Sequence, residues 1–348
     1  MADYKLLPFT QPPLLTYHNQ ACVGVVAMQR KSGMTWYLNN AMQLSLEKKF
    51  LSGYTTPKLL IEGAMYTDVS AIKYEKFNIK FAPNGIVEAI VGMLDCNHYV
   101  LFHHADDYYI EGKSWYGERH FRHDGMIIGY DMSDRTFTVV AYDKTWVFRS
   151  FRTPMGCFIE AFKGENDSLP AGNLVNMWPV TIEDKLDFKK IMLDLQKYLD
   201  SNFEKYPMKD DGKKVFGIIT LKYLAEYFKR VLDGRIPYEK VDRRIFRLLL
   251  DHKALMHKRI VAVSNELNIS TIYADDYKKL VDMLESMRFQ YKKFELRPNM
   301  YIIERLIEQL HELYEKELVI LAEFIEVMGE KLENRKDDNN GKSIVETN

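Results

Sequence analysis

Cysteine is scarce in this sequence of 348 residues, which contains only Cys22, Cys96 and Cys157. A small and odd number of cysteines argues against a disulfide framework and is typical of a reducing compartment. Residues 1–21 contain prolines and no long apolar run, so a secretory signal peptide is not expected. No stretch approaches the length of a membrane-spanning helix. These features predict a cytoplasmic protein.

An excess of charge is also lacking, because 48 basic residues are balanced by 49 acidic ones. A nearly neutral chain gives no reason to expect binding to nucleic acid or to a membrane. The cysteines do not have the spacing of metal ligands. The segment His103–Asp107 offers imidazoles and carboxylates, but strand alternation sends them to opposite faces. The sequence therefore predicts neither a metal nor a cofactor.

A change of pattern divides the sequence near its middle. Residues 1–165 alternate short β-like segments with connections, whereas residues 180–335 show the periodicity of helices. Between them, residues 164–179 are rich in turn-forming residues. We therefore predict an α+β domain over 1–165, a helical domain over 180–335 and a disordered tail over 336–348. The predicted helices cover residues 19–29, 35–49, 85–94, 154–162, 181–203, 216–232, 238–267, 272–295 and 299–333.

The stretch from His123 to Asp143 predicts a β-hairpin. Its first strand is the mostly apolar segment Asp124–Gly129, and its second is the β-branched and aromatic segment Thr136–Tyr142. In an antiparallel hairpin the start of the first strand lies beside the end of the second. His123 and Asp143 should therefore meet at one end of the sheet. A carboxylate beside an imidazole fixes its tautomer and stabilises the imidazolium, as a general base requires.

Cys22 is the candidate nucleophile. A reactive thiol needs a place that lowers its pKa, such as the start of a helix, and a base within reach. Cys22 follows closely on Asn19, the predicted N-cap of the first helix. With His123 as base and Asp143 as its orienting partner, a helix packed on a sheet edge would form a papain-like site. Gln20 or Asn19 would add a donor for an oxyanion beside the backbone amide of Cys22.

Each of these residues also has a purely structural interpretation. Cys22 lies among valines and alanines, as inert core cysteines do. His123 can be a hydrogen-bonded structural histidine, and Asp143 can cap a turn. His120 and Asp124 flank the site, where they either support it or make ordinary hydrogen bonds.

The segments that carry these residues resemble a known family. His123 followed by an apolar strand, Gly129-Tyr130-Asp131 after it, and Asp143 at the end of the next strand are similar to the His and Asp segment of papain-like cysteine enzymes. More specifically, the sequence resembles the butirosin biosynthesis protein H group, in a subgroup associated with peptide-synthetase gene clusters. The resemblance covers residues 14–295 and includes the further segments Asp107–Ile110, His120–Asp124 and Asp251–Met256.

The resemblance implies a papain-like fold for the first domain and an acyltransferase of natural-product biosynthesis. An acyl group would pass from an acyl or peptidyl carrier protein, through Cys22, to an amine acceptor on a small molecule. His123 and Asp143 would assist the thiol, without a cofactor. The residues that would bind substrate or support these three are Gln20, His120, Asp124 and Tyr130.

One position departs from the family's pattern. The family's cysteine stands at the very start of the helix, and that place falls here on residues 16–18, one turn before Cys22. In that alignment the nucleophile is missing, and the chain is a non-catalytic binding or scaffold protein of the same fold. A cysteine peptidase or amidase is a third hypothesis, because it needs the same side chains but no carrier protein.

Overall fold

The computed structural model describes residues 2–53, 57–78, 85–163, 173–201 and 213–345, with side chains as far as residue 335. The chain divides into two compact units. Unit 1 comprises Met1–Trp36 and Ala64–Asp184, and unit 2 comprises Tyr37–Gly63 and Lys185–Asn348. The fold is mixed α/β, with antiparallel sheets and a helical C-terminal region. That much of the predicted fold class is confirmed.

Strands and helices are mixed in the first half of the chain, and helices dominate the second half. In chain order the described strands and helices are β1 (Tyr4–Leu6), α1 (His18–Ala27), α2 (Lys31–Asn40), β2 (Leu44–Glu47), β3 (Leu59–Ile61), β4 (Ile72–Asn78), α3 (Ile86–Asp95), β5 (Tyr99–Asp106), β6 (Arg122–Asp131), β7 (Thr136–Tyr142), β8 (Phe148–Pro154), α4 (Gly156–Lys163), β9 (Asn173–Pro179), α5 (Phe188–Leu199), β10 (Lys214–Phe216), α6 (Thr220–Leu232), α7 (Ile245–Leu267), α8 (Ile272–Leu296) and α9 (Met300–Val345).

The sheet of unit 1 has the strand order β4-β9-β5-β6-β7-β8, and each of these pairs is antiparallel. β1 pairs with the last residues of β6. Gly129 of β6 permits this approach, because a Cβ atom there would lie 2.5 Å from the carbonyl oxygen of Lys5. The predicted hairpin is confirmed, since β6 pairs with β7 in the expected antiparallel sense.

Helix α1 packs against this sheet. Nine of its ten residues are buried, so it is enclosed on nearly all sides. The helix begins at His18, and its N-cap is Tyr17 in an extended conformation. Asn19 lies inside the helix, where its side chain accepts a hydrogen bond from the backbone N–H of Gln20. The helix was therefore predicted correctly, but the predicted cap was two residues too late.

The helix predicted over residues 35–49 is wrong in its second half. Helix α2 ends at Asn40, and Leu44–Glu47 form β2, which pairs with β3 on one side and β10 on the other. The missed signal is alternation, because apolar and polar residues take turns over residues 42–47. These strands belong to unit 2, not to the first unit as predicted.

The segment predicted as a linker contains a strand. Residues 164–172 lie outside the described residues, but Asn173–Pro179 form β9, which lies between β4 and β5 in the sheet. Its central residues are buried. The turn-forming residues before this strand hid a short apolar run in the sequence. Unit 1 therefore continues to Asp184, beyond the predicted boundary.

Unit 2 contains α5 to α9, which their apolar periodicity predicts. α5 begins at Phe188 rather than near residue 181, because Asp187 caps it by accepting from the backbone N–H of Lys190. α9 continues to Val345, so the helix replaces most of the predicted disordered tail. Residues 346–348 of that tail lie outside the described residues.

No helix in the described ranges combines the length and the apolar character that a bilayer crossing requires.

Candidate functional site

The candidate site lies at the end of the unit 1 sheet where β6 begins. His123, the second residue of β6, pairs with Ala105 of β5. Before Ala105 the pairing is interrupted by a bulge, in which His104 has a left-handed φ of 58°. Bulges re-aim side chains and are frequent beside active sites. The end of β7 and the start of α1 reach the same place, because Tyr142 and His18 make direct contact there.

His18 holds the position at the start of α1. Its ring lies edge-on to the ring of His123, with the ring centroids 4.1 Å apart. Its Nε2 accepts a hydrogen bond of 3.1 Å from the backbone N–H of Tyr142. A neutral imidazole that accepts at Nε2 carries its proton on Nδ1. His18 therefore links the helix start, the end of β7 and the imidazole of His123.

Cys22 lies one turn deeper, on the same face of α1 as His18 and about 6 Å further along the helix axis. Its side chain has no exposure to solvent. Burial raises the pKa of the thiol far above its usual value, and the negative charge of Asp124 adds to this, while Lys113 opposes it. A thiol in these surroundings stays protonated at neutral pH, and protonated thiols are poor nucleophiles.

His123 is the exposed member of the group, with 34% of its side chain accessible. The carboxylate beside it is Asp107, whose Oδ2 lies 3.7 Å from His123 Nδ1. That separation is longer than a hydrogen bond, and the contact is an ion pair only when the imidazole is protonated. Asp107 is itself buried. The structure thus places a buried carboxylate next to a solvent-accessible imidazole.

A buried lysine supports this carboxylate. Lys113 has a fully buried side chain, and its Nζ lies 3.1 Å from Asp107 Oδ1. The same ammonium donates a hydrogen bond of 2.9 Å to the backbone carbonyl of Asp124. A buried charge is tolerated only when it is paired or hydrogen-bonded. Lys113 therefore compensates the charge of Asp107 and connects the loop after β5 to the start of strand β6.

Asp143 makes its bonds within its own turn. One of its carboxylate oxygens accepts from the backbone N–H of Thr145 at 2.8 Å, from the Thr145 hydroxyl at 2.7 Å and from the backbone N–H of Val147 at 3.1 Å. The other oxygen pairs with Arg149. Although burial alone would raise it, these interactions lower the pKa of Asp143 to about 2. Among the described residues, the carboxylate that contacts the His123 imidazole is that of Asp107, and not that of Asp143 as predicted.

His120 and Asp124 flank the site as expected, each with a different partner. His120 Nδ1 donates to Asp106 at 2.7 Å, and its exposed ring stacks on Tyr108. Asp124 accepts from the backbone N–H of His104 and lies 3.2 Å from His103 Nδ1. Burial would raise the pKa of Asp124, but the His103 contact and the backbone hydrogen bond outweigh it and lower the pKa. Through these contacts with Asp124, His103 and His104 of the bulge connect the end of β5 to the start of β6.

The two remaining predicted residues are Gln20 and Tyr130. Gln20 is buried in the first turn of α1. Tyr130 is near the opposite end of β6, where its hydroxyl contacts Asp95 and the backbone carbonyl of Ala2. Burial and the Asp95 carboxylate raise the pKa of Tyr130 to about 12. Its contacts therefore support the packing of β1 and α3 against β6, not the end of the sheet that carries His123.

Sequence reasoning missed three members of the group: His18, Asp107 and Lys113. A signal existed for Asp107, because it follows the strand that pairs with the start of β6. His18 lies one helical turn before Cys22, so helix periodicity predicts that the two side chains are neighbours on one face of α1. Lys113 gave no signal, since a lysine in a polar loop is expected to be exposed.

The arrangement can bind a polar ligand and can move a proton. The imidazole of His123 is accessible and lies beside the carboxylate of Asp107, so its ring nitrogens can exchange a proton with a bound ligand. The thiol of Cys22 is closed off from solvent, and Cys96, an exposed cysteine, follows α3 elsewhere in unit 1. Among the described residues, no group of three or more histidine, cysteine, aspartate or glutamate side chains is arranged to hold a metal ion.

Two comparisons with known proteins give no match, so the functional argument rests on the residues described above. The sequence matches none of the family models with which it was compared. A search of curated proteins likewise finds no match.

Proposed function

We propose that unit 1 is a papain-like-derived binding module of a natural-product assembly, which holds a carrier-bound acyl or peptidyl group without forming an acyl-cysteine. One observation carries the proposal: His18 occupies the start of α1 beside His123, and Cys22 is enclosed one turn deeper. The packing of α1 on an antiparallel sheet supports a papain-like origin for the fold of unit 1. The resemblance to the butirosin biosynthesis protein H group supports the carrier protein as partner.

The chemistry of the thiol argues against a covalent intermediate. Acyl transfer through cysteine needs a thiolate that the thioester can approach. Cys22 offers neither, because it has no accessible surface and its pKa is raised by burial. The imidazole of His18 lies one turn before it on the same helix face, at the start of the helix.

The two imidazoles suit a binding role. His123 is accessible and can donate a hydrogen bond to a carbonyl oxygen of a bound acyl group. His18 is held against it and fixes one face of its ring. A ring that is oriented before the ligand arrives loses little entropy on binding. These contacts favour recognition of a polar acyl or peptidyl group.

Direct acyl transfer is the second candidate, favoured by the carboxylate of Asp107 beside the accessible His123. In that reaction an amine nitrogen attacks the carbonyl carbon of the carrier thioester. His123 takes the proton from nitrogen, the C–S bond breaks, and the departing thiolate receives that proton. The reaction needs no thiol of this chain, and amine and thioester are its only reactants.

Cys22 is expected to stay unmodified when the full chain is incubated with an acyl-pantetheine thioester. Intact mass and peptide mapping measure the adduct, with the exposed Cys96 as an internal control for reactivity. Cys22→Ala should bind acyl-pantetheine as the wild type does, whereas His123→Ala should bind it about tenfold more weakly. A stable acyl mass on Cys22 that His123→Ala abolishes would restore the covalent mechanism.

Turnover separates the two candidates. The binding proposal expects no amide product from acyl-pantetheine and an amine above the uncatalysed rate. Direct transfer expects product in both the wild type and Cys22→Ala, with a loss of about 100-fold or more in His123→Asn. A peptidase would instead cleave a peptide with no carrier or pantetheine present.

A further inference from the structure

A surface next to the site presents tryptophan and arginine to solvent. We call it the Trp146 shelf and define it by Trp115, Arg119, Trp146 and Val147. Trp146 is 59% exposed and Val147 is 51% exposed. The rings of Trp115 and Trp146 meet edge-on, with their centroids 6.3 Å apart. Exposed tryptophan and arginine side chains are the residue types that dominate binding energy in protein interfaces.

The turn that carries Trp146 is held in a conformation that tryptophan disfavours. Trp146 has a left-handed φ of 59°, which is rare for a bulky residue. The carboxylate of Asp143 keeps the turn in place through its bonds to Thr145 and Val147. A buried carboxylate thus serves to direct two apolar side chains into solvent. Backbone strain of this kind persists where the surroundings over-determine it, and it clusters at binding sites.

A second loop locks the shelf from the other side. The backbone N–H of Lys144 donates to the carbonyl of Gly112, and the Ser114 hydroxyl donates to the carbonyl of Asp143. Gly112 has a φ of 94°, and a Cβ atom there would lie 2.5 Å from the ring of Phe151. The two loops therefore form one preorganised surface, and such surfaces bind at a low cost in entropy.

The shelf carries a positive charge on Arg119, and this charge is accessible to a partner. The Arg119 guanidinium lies over the Trp115 ring, 4.1 Å from its centroid. Within the part of the chain that the structure describes, Arg119 forms no ion pair. A carboxylate of a partner protein can therefore accept hydrogen bonds from its guanidinium group. Glu118 contributes one negative charge to the same loop, and Lys144 adds a positive charge across from it.

The shelf leads to the candidate site. The ring of Trp115 lies against Phe121, and Phe121 lies against His123, with centroid distances of 6.2 and 5.3 Å. A partner seated on Trp146 would therefore hold a flexible arm within reach of His123.

We propose that the Trp146 shelf docks an acidic carrier protein, through a carboxylate on Arg119 and an apolar side chain on Trp146. The inference rests on the proposed function for the class of partner. It goes beyond it by naming the surface that receives the protein itself, separately from the group on its arm.

The test uses the full chain and the purified apo form of an acidic acyl carrier protein, which has no pantetheine arm. Calorimetric titration should give binding that weakens as salt is raised. Trp146→Ser should weaken it at least tenfold. Arg119→Gln should weaken it about fivefold and reduce its salt dependence. Phe289→Ser, at a residue 56% exposed in α8 of unit 2, is the matched control and should change it less than twofold.

Two readouts keep the proposal separate from the proposed function. Acyl-pantetheine binding, which reports on the site around His123 and not on the shelf, should be unchanged in Trp146→Ser. Absence of binding to the apo carrier, or a Trp146→Ser variant that binds it within twofold of the wild type, would overturn the shelf as a docking surface. If the wild type binds the apo carrier but does not bind acyl-pantetheine, the proposed function is wrong, whereas the assignment of the shelf as a docking surface stands.

Discussion

Replacing Glu317 with alanine is expected to destabilise unit 2 by about 3 to 5 kcal/mol, because it leaves the ammonium of Lys253 buried without a counter-charge. Both side chains are fully buried, and Lys253 Nζ lies 2.6 and 2.7 Å from the two carboxylate oxygens. No other interaction in the described helices pairs two fully buried charges.

The network around this pair joins four helices. Tyr198 of α5 accepts a hydrogen bond from Lys253 of α7 at 2.7 Å, and Tyr277 of α8 donates to Glu317 of α9. Burial, and then the charge of Glu317, raise the pKa values of Tyr198 and Tyr277, so both remain protonated donors. Burial lowers the pKa of Lys253, and Glu317 opposes that effect. The carboxylate is thus the centre on which the other three side chains depend.

Urea denaturation followed by circular dichroism measures the effect. The matched control is Glu312→Ala, which removes an exposed carboxylate paired with Lys316 one turn away on the same helix, and it should cost less than about 0.5 kcal/mol. The double variant Lys253→Met with Glu317→Leu should recover much of the loss, since well-packed apolar residues can replace a buried ion pair. A Glu317→Ala protein within about 1 kcal/mol of the wild type would contradict this account.

The sequence predicts the helices of unit 2 well and their polar centre not at all. Apolar residues at helical spacing place α6 and α8 within four residues of both ends, whereas α7 begins seven residues after its predicted start and α9 continues twelve residues beyond its predicted end. The same pattern counts Leu318 in the apolar stripe of α9, whereas Glu317 is the fully buried residue and Leu318 is half-buried. A glutamate becomes buried only because a lysine from another helix meets it, and that meeting depends on tertiary packing.

At the candidate site, local pattern predicts the strands and misses the partners. The apolar, β-branched and turn-forming residues between His123 and Asp143 are sufficient for the hairpin. The carboxylate beside His123 depends on a bulge in β5 and on a loop pinned by the buried Lys113. Neither feature leaves a periodic trace in the sequence. A short-range rule could bring Asp143 near His123 in register, but only the hydrogen bonds of the turn decide where its carboxylate points.

Replacing Asp143 with asparagine is expected to destabilise unit 1 by about 2 kcal/mol at pH 5, because its folded pKa of about 2 lies below the ordinary value of 3.8. A depressed carboxyl pKa stabilises the fold above pH 4, and that stability is lost as the pH falls towards 2. The difference between wild type and variant should therefore shrink as the pH is lowered from 5 to 2.5. Urea midpoints at a series of pH values measure it.

The control for this titration is Asp134→Asn, at an exposed carboxylate in the turn between β6 and β7 that pairs with Arg152. It should change stability by less than about 0.5 kcal/mol at every pH. The Asp143 variant should also weaken carrier binding, because hydrogen bonds to this carboxylate hold the turn that presents Trp146. A variant as stable as the wild type that nevertheless loses acyl-pantetheine binding would return Asp143 to the role of orienting His123.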